Sequence, residues 1–215
     1  MDRRHFLGGL ATAAIGIAAL STIPGPPDPK VKSPYSDIPS PQRRRDRFVN
    51  VPLITHEGRE VRFYDDLLKD RTVVLNMLYT VCTAEAICPL GTANLVKVQR
   101  ILGRRMGKDI FFYSITLDPE NDTQSVMKAY AKAFKVGPGW EFLTGRKEDI
   151  ERLRRNLGYV DPDPVRDSDP SQHSGMIRIG IEPLERWGGC PVLSRPGVIA
   201  DAILRLEPGR LLTAA

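Results

Sequence analysis

Cys82 and Cys88, with Thr83 to Ile87 between them and Pro89 directly after, are the residues of this chain best equipped for chemistry. A thiolate is both a nucleophile and a soft metal ligand. Two thiols that meet support either thiol–disulfide exchange or metal binding. Six residues along a continuous helix turn through about 600°, leaving the two side chains about 120° apart. Cys82 is therefore expected on a loop, with Cys88 at or just before a helix N-terminus. Pro89 suits the first turn, where its missing N–H costs little. The free N–H groups and the helix dipole at that end favour the Cys88 thiolate. The plainer alternatives are a static disulfide closing the short loop, or two buried apolar thiols.

The other candidate donors are few. Of three histidines, His5 lies in the N-terminal segment, His56 in an expected hairpin turn, and His173 just ahead of the apolar strand signal Met176-Ile-Arg-Ile179. Alone, His173 reads as structural; with two thiols at the same sheet end it reads as a third ligand. Two soft sulfurs and an imidazole suit copper in either oxidation state better than magnesium or calcium. Zinc accepts the same set with a fourth ligand. Cys190, between Gly188-Gly189 and Pro191, is expected in a loop. It is a buried inert thiol, a resolving thiol for the pair, or a link to another chain.

These residues need a scaffold, and the chain supplies an α/β pattern. Val51–Thr55 and Glu60–Phe63 flank His56-Glu57-Gly58 as a hairpin, and Tyr64 to Lys69 makes a short helical turn. Thr72–Leu78 is a nearly continuous apolar run, the mark of a strand covered on both faces. Leu95, Val98, Leu102 and Met106 recur at helical spacing after the cysteines. Asp109 to Leu117 is a second core strand, and Asp122 is the expected N-cap of a helix carrying Met127, Tyr130 and Phe134 on one face. A helix over Lys147–Leu157, a strand over His173–Ile181 and a closing helix over Gly197–Leu206 follow. This order implies a central, mostly parallel sheet flanked by helices on both faces. The segment Tyr159 to Gln172, with Asp161, Asp163, Asp167 and Asp169, reads as a solvated acidic loop that lacks the glycine and terminal glutamate of a calcium loop.

Charge and composition narrow the field. The formal net charge of +5 is concentrated at the N-terminus: residues 1–48 hold eight Lys/Arg and four Asp/Glu, and residues 49–215 hold 23 and 22. The folded part is near neutral, which excludes a nucleic-acid partner held through the phosphate backbone. Residues 1–23 open with Arg3-Arg4 and continue through an uncharged stretch from Phe6 to Ile23, resembling a bacterial twin-arginine export signal or an anchor. Seven prolines within residues 24–42 make residues 24–48 an extended linker ahead of a domain over 49–215. The run Arg43-Arg44-Arg45 near its end is solvated or drawn to an anionic membrane surface.

Tyr79-Thr80-x-Cys82, Cys88-Pro89, Ser114-Ile-Thr-Leu-Asp118-Pro-Glu-Asn-Asp122-Thr123, Leu143-Thr144-Gly145 and His173-Ser174 follow one another in the order that resembles the Sco/SenC family. Over about residues 50–182 the resemblance implies a thioredoxin-like fold and a membrane-associated protein that binds copper and helps assemble the copper centre of cytochrome c oxidase. The family's Cys-x-x-x-Cys-Pro motif and distant histidine carry over onto Cys82, Cys88 and His173 as ligands of one Cu(I) or Cu(II) ion. The implied partner is the copper-receiving oxidase subunit or another thiol or copper protein, and the implied location is the periplasm, with residues 6–23 as a membrane anchor. Asp118 and Asp122 are expected to cap or brace the loop near the site. The chain departs from the pattern in its five intervening residues instead of three, in the acidic segment before His173, and in the stretch Trp187 to Leu193.

The same dithiol, Cys82 and Cys88 acting as a redox pair, also fits a thiol–disulfide oxidoreductase working on a partner's cysteines. His173 discriminates the two functions, because a reductant does not need it. A peroxidase of the peroxiredoxin type is disfavoured: it needs Pro and Thr at fixed offsets before its cysteine, and here Tyr79 stands three before Cys82 with no Pro on the preceding strand.

Overall fold

Thr72–Leu78 (β3) is apolar at nearly every position because both of its faces are covered. The computed structural model describes residues 40–82, 87–169 and 175–207, all within the compact unit Ile38–Ala215. The export signal expected over residues 1–23 lies outside the described residues, as does most of the linker. No helix among the described residues is long and apolar enough to cross a membrane.

Seven strands form one sheet in the order β2-β1-β5-β4-β3-β6-β7. Pro52–Thr55 (β1) and Glu60–Arg62 (β2) form the expected hairpin, followed by a π-helical turn over Phe63–Leu68. Ile110–Thr116 (β4) lies parallel to β3, and Trp140–Thr144 (β5) parallel to β4. Met176–Ile181 (β6) and Arg186–Pro191 (β7) extend the sheet antiparallel. The fold is α/β and thioredoxin-like, but the sheet is mixed: only its three central strands are parallel. The hairpin and the β6–β7 pair have short connections, and a short connection forces antiparallel pairing.

Period-two alternation divides the sheet into two buried faces. On the first, Val74, Leu78, Phe112, Phe142, Ile177 and Ile179 pack under Ile87–Leu102 (α2), Gln124–Ala133 (α3) and Pro196–Arg205 (α6). On the second, Val73, Leu75, Met77, Tyr113 and Ile115 pack against the π-helical turn and Lys147–Asn156 (α4). The helices therefore cover both faces.

The last residues of the expected linker are not extended. Ser40–Asp46 forms a short helix (α1), and its arginines are paired. Arg43 Nε donates to both Glu185 carboxylate oxygens at 3.0 and 3.1 Å, and Arg44 reaches the buried Glu182 at 2.9 Å. The Phe48 ring sits 4.7 Å from that of Trp187. Gly180 is required beneath this cluster, since a Cβ there would lie 2.1 Å from the Trp187 ring. Two arginines of the run read as solvated or membrane-facing thus bind half-buried and buried carboxylates, while Arg45 pairs with Asp65 at the surface, as a solvated residue does.

A second charge reading changes as well. Pro164–Asp167 (α5) lies inside the acidic segment. Asp167 there accepts from both Arg154 NH groups at 2.7 Å, while Arg154 also donates to the Tyr159 carbonyl at 2.7 Å. The segment is clamped to α4 and not simply solvated.

Candidate metal centre

The two loop cysteines meet where β3 ends and α2 begins. Cys88 is the second residue of α2 and is 6 % exposed. Cys82 lies ahead of the helix, as the spacing requires, and packs half-buried against the first sheet face. Their side chains are hydrogen-bonded to each other, and no disulfide links cysteines among the described residues. Residues 83–86 between them lie outside the described residues. Tyr79 N–H, at the strand end, donates to Cys88 Sγ at 3.4 Å. Gly91 lets α2 approach β7, because a Cβ there would lie 2.9 Å from both Val192 methyls.

Burial reverses one electrostatic expectation. The helix N-terminus favours a thiolate, yet the Cys88 thiol is pushed up to about 12, chiefly by desolvation. The Tyr79 N–H offsets this in part, and the neighbouring Cys82 and the Asp122 charge push it further up. Burial also raises Tyr79 and takes Tyr130 up to about 12. Cys88 is therefore a thiol at neutral pH, and any metal it bound would have to displace that proton.

Asp122 braces the loop instead of capping α3. Its carboxylate is 2 % exposed and accepts from Thr80 N–H at 3.2 Å, from the Thr80 hydroxyl, and from Thr116 Oγ1 at 2.7 Å. The N-cap is Thr123, whose hydroxyl accepts from Val126 N–H. Asp118 organises the same turn: its N–H donates to Thr116 Oγ1 at 2.8 Å, and its carbonyl accepts from Asp122 N–H at 2.7 Å. The bracing expected of both aspartates holds.

His173 lies outside the described residues. The chain is described again from Gly175, whose carbonyl accepts from Val192 N–H at 2.7 Å and where a Cβ would lie 3.0 Å from the Ile87 side chain. Among the described residues no group of three or more His, Cys, Asp or Glu is arranged to hold a metal. Cys190 stands on β7 opposite Ile177 and not in a loop. It is half-buried against the first face, and desolvation raises its thiol. A groove of about 850 Å³ opens beside Tyr79, floored by Met77, Leu117 and Ile150 and walled by α4 and the clamped acidic segment. Sequence reasoning passed over Asn76, although a polar residue interrupting the apolar run Thr72–Leu78 was a visible signal.

The family model for SCO1/SenC matches residues 42–179, well over half of the chain. The SCO1 protein homolog of Bacillus subtilis is 30% identical over 99 residues, which are 45% of this chain and 49% of that protein. The chain thus spans about half the length of the sequence relatives it matches. Among solved structures, Bradyrhizobium japonicum ScoI with copper bound is similar with a TM-score of 0.58 at 24% identity, covering 74% of this chain and 99% of that one. Yeast Sco1 with copper bound gives a TM-score of 0.58 at 19% identity, covering 78% and 92%. At these identities the structural likeness establishes the thioredoxin-like fold.

Proposed function

The chain belongs to the SCO1/SenC family, and on that premise we propose that it binds one copper ion through Cys82, Cys88 and His173 and passes it to the copper centre of a respiratory oxidase. The observation that carries the reading is the hydrogen-bonded contact of the two thiols at the head of α2, reached across a loop two residues longer than the family pattern. Solved relatives hold copper, and two sulfurs with an imidazole suit that metal. The uncompensated Asp122 carboxylate near the thiols adds attraction for a cation. Arg3-Arg4 and the uncharged stretch after it support export to the periplasm, with residues 6–23 cleaved or kept as an anchor.

Copper content of protein refolded under reducing conditions with copper supplied tests the ligand set. One ion per chain is expected, with sharp loss in Cys82→Ala, Cys88→Ala and His173→Ala. A His173→Ala protein that holds copper as tightly as the parent overturns the three-ligand site. Export has its own test: Arg3→Lys with Arg4→Lys keeps the charge and is expected to block translocation, and undiminished periplasmic protein would refute the twin-arginine route.

The thiol–thiol contact also supports a second reading, disulfide exchange on a partner's cysteines. Disulfide reductase activity that survives His173→Ala while copper binding is weak in the parent would favour it.

A further inference from the structure

A line of buried polar groups crosses the first sheet face beneath the head of α2. Asn76 on β3 and Ser114 on β4 are register partners. The Trp140 indole N–H donates to Ser114 Oγ at 2.9 Å, and the Ser114 hydroxyl donates to Asn76 Oδ1 at 2.7 Å. Ser114 is fully buried and Asn76 is 8 % exposed. Trp donates only, so the Ser114 proton is left for Asn76, and the carboxamide is fixed with its oxygen toward β4. The surrounding residues are Val74, Leu78, Phe112, Phe142 and Ile177. Polar groups in such company are costly unless their hydrogen bonds are met.

Asn76 also lines a cavity of about 10 Å³ whose wall includes Cys88, Ile87 and Gly175. That volume holds about one water molecule. With Oδ1 committed to Ser114, the NH2 branch is the part of the amide left to serve the cavity. We propose that Asn76 is a positioning residue for the dithiol: its amide N–H, oriented by the Ser114–Trp140 relay, donates to the Cys88 sulfur through one water in this cavity. A hydrogen bond to a ligand sulfur withdraws electron density from it and tunes the bound metal. The inference rests on the copper reading for its spectroscopic arm and on metal-free chemistry for the other.

Asn76→Leu is near-isosteric and removes the donor; Ser114→Ala keeps Asn76 but frees its orientation. In copper-loaded protein the sulfur-to-copper charge-transfer band is expected to move to longer wavelength in Asn76→Leu, because the sulfur becomes more electron-rich, and copper release to a chelator to quicken about tenfold, because the sulfur loses the partner that holds it in place. Ser114→Ala is expected to shift both in the same direction by less. In reduced, metal-free protein, alkylation of Cys88 is expected to slow severalfold in both variants, with Cys190 as internal reference. A purely structural role would lower stability without moving the band or the Cys88 rate. If folded Asn76→Leu, or Ser114→Ala should Asn76→Leu not fold, matches the parent in band position and alkylation, the proposal is overturned. Should the parent bind no copper, the ligand reading fails, and the alkylation arm still decides the role of Asn76.

Discussion

The two ends of β3 each bury a carboxylate, and they satisfy it in opposite ways. At the end where the strand begins, Glu182 is 1 % exposed and meets the Arg44 guanidinium at 2.9 Å, Tyr64 OH at 2.8 Å and the Asp70 N–H at 2.8 Å. At the other end, about 20 Å along seven strand residues, Asp122 is held among the described residues by neutral donors, from Thr80 and Thr116. The first arrangement cancels charge and locks α1 onto the body. The second leaves a carboxylate near the Cys88 thiol, which it helps to raise. One end closes an ion pair; the other, on the proposed copper reading, offers its charge to a ligand.

The largest effect that would break this contrast is Arg44→Ala. It strands Glu182 as a buried, uncompensated charge, and a stability loss of about 3 kcal/mol is expected from chemical denaturation. Copper retention should be unchanged, because the site end is untouched; coupled loss of copper at a temperature where the variant stays folded would show the two ends are not independent. Tyr64 reports on the same locus, since burial and Glu182 push its phenol up to about 12.

Asp122→Asn inverts the pattern. Replacing Oδ1, the acceptor of the Thr80 hydroxyl, by an NH2 should cost about 1–2 kcal/mol. The larger consequence is expected at the site, with copper affinity down about tenfold in a chelator competition and the metal-free Cys88 thiol titrating lower. An Asp122→Asn protein with parental copper affinity would remove the electrostatic argument for the site end.

The smallest effect belongs to neither end and gives a baseline. Burial lowers His56 from its usual value, and its Nδ1 accepts from Phe142 N–H at 3.2 Å. With the folded value depressed, the unfolded chain binds more protons in the window below about pH 6.5, so this stability is present above it and lost as pH falls through the folded value. Urea midpoints measured from about pH 7 down to pH 5 should decline less steeply in His56→Gln than in the parent. An identical slope would mean that His56 does not contribute to the acid loss.

Much of the scaffold was legible because it is written in local periodicity. The apolar run of β3, the 3.6-residue stripe of α2 and the hairpin around His56 all follow from short-range patterns, and each appears in the structure. β7 was missed because Gly188, Gly189 and Pro191 are turn residues by local preference, and only pairing with β6 makes Arg186–Pro191 a strand. Thr123 took the cap that Asp122 resembled because the longer-range donors of Thr80 and Thr116 claimed the aspartate.

By itself the sequence determined that Cys82 must precede the helix that carries Cys88, since six residues of helical rotation would separate the side chains. It also determined the family-like order of motifs and the near-neutral charge of the folded part. Tertiary structure alone decided that the two thiols interact, that burial overrides the helix dipole at Cys88, and that Arg44 and Arg43 pair with buried and half-buried carboxylates. Contact and desolvation depend on which distant segments cover a residue, and spacing along the chain carries no record of that cover.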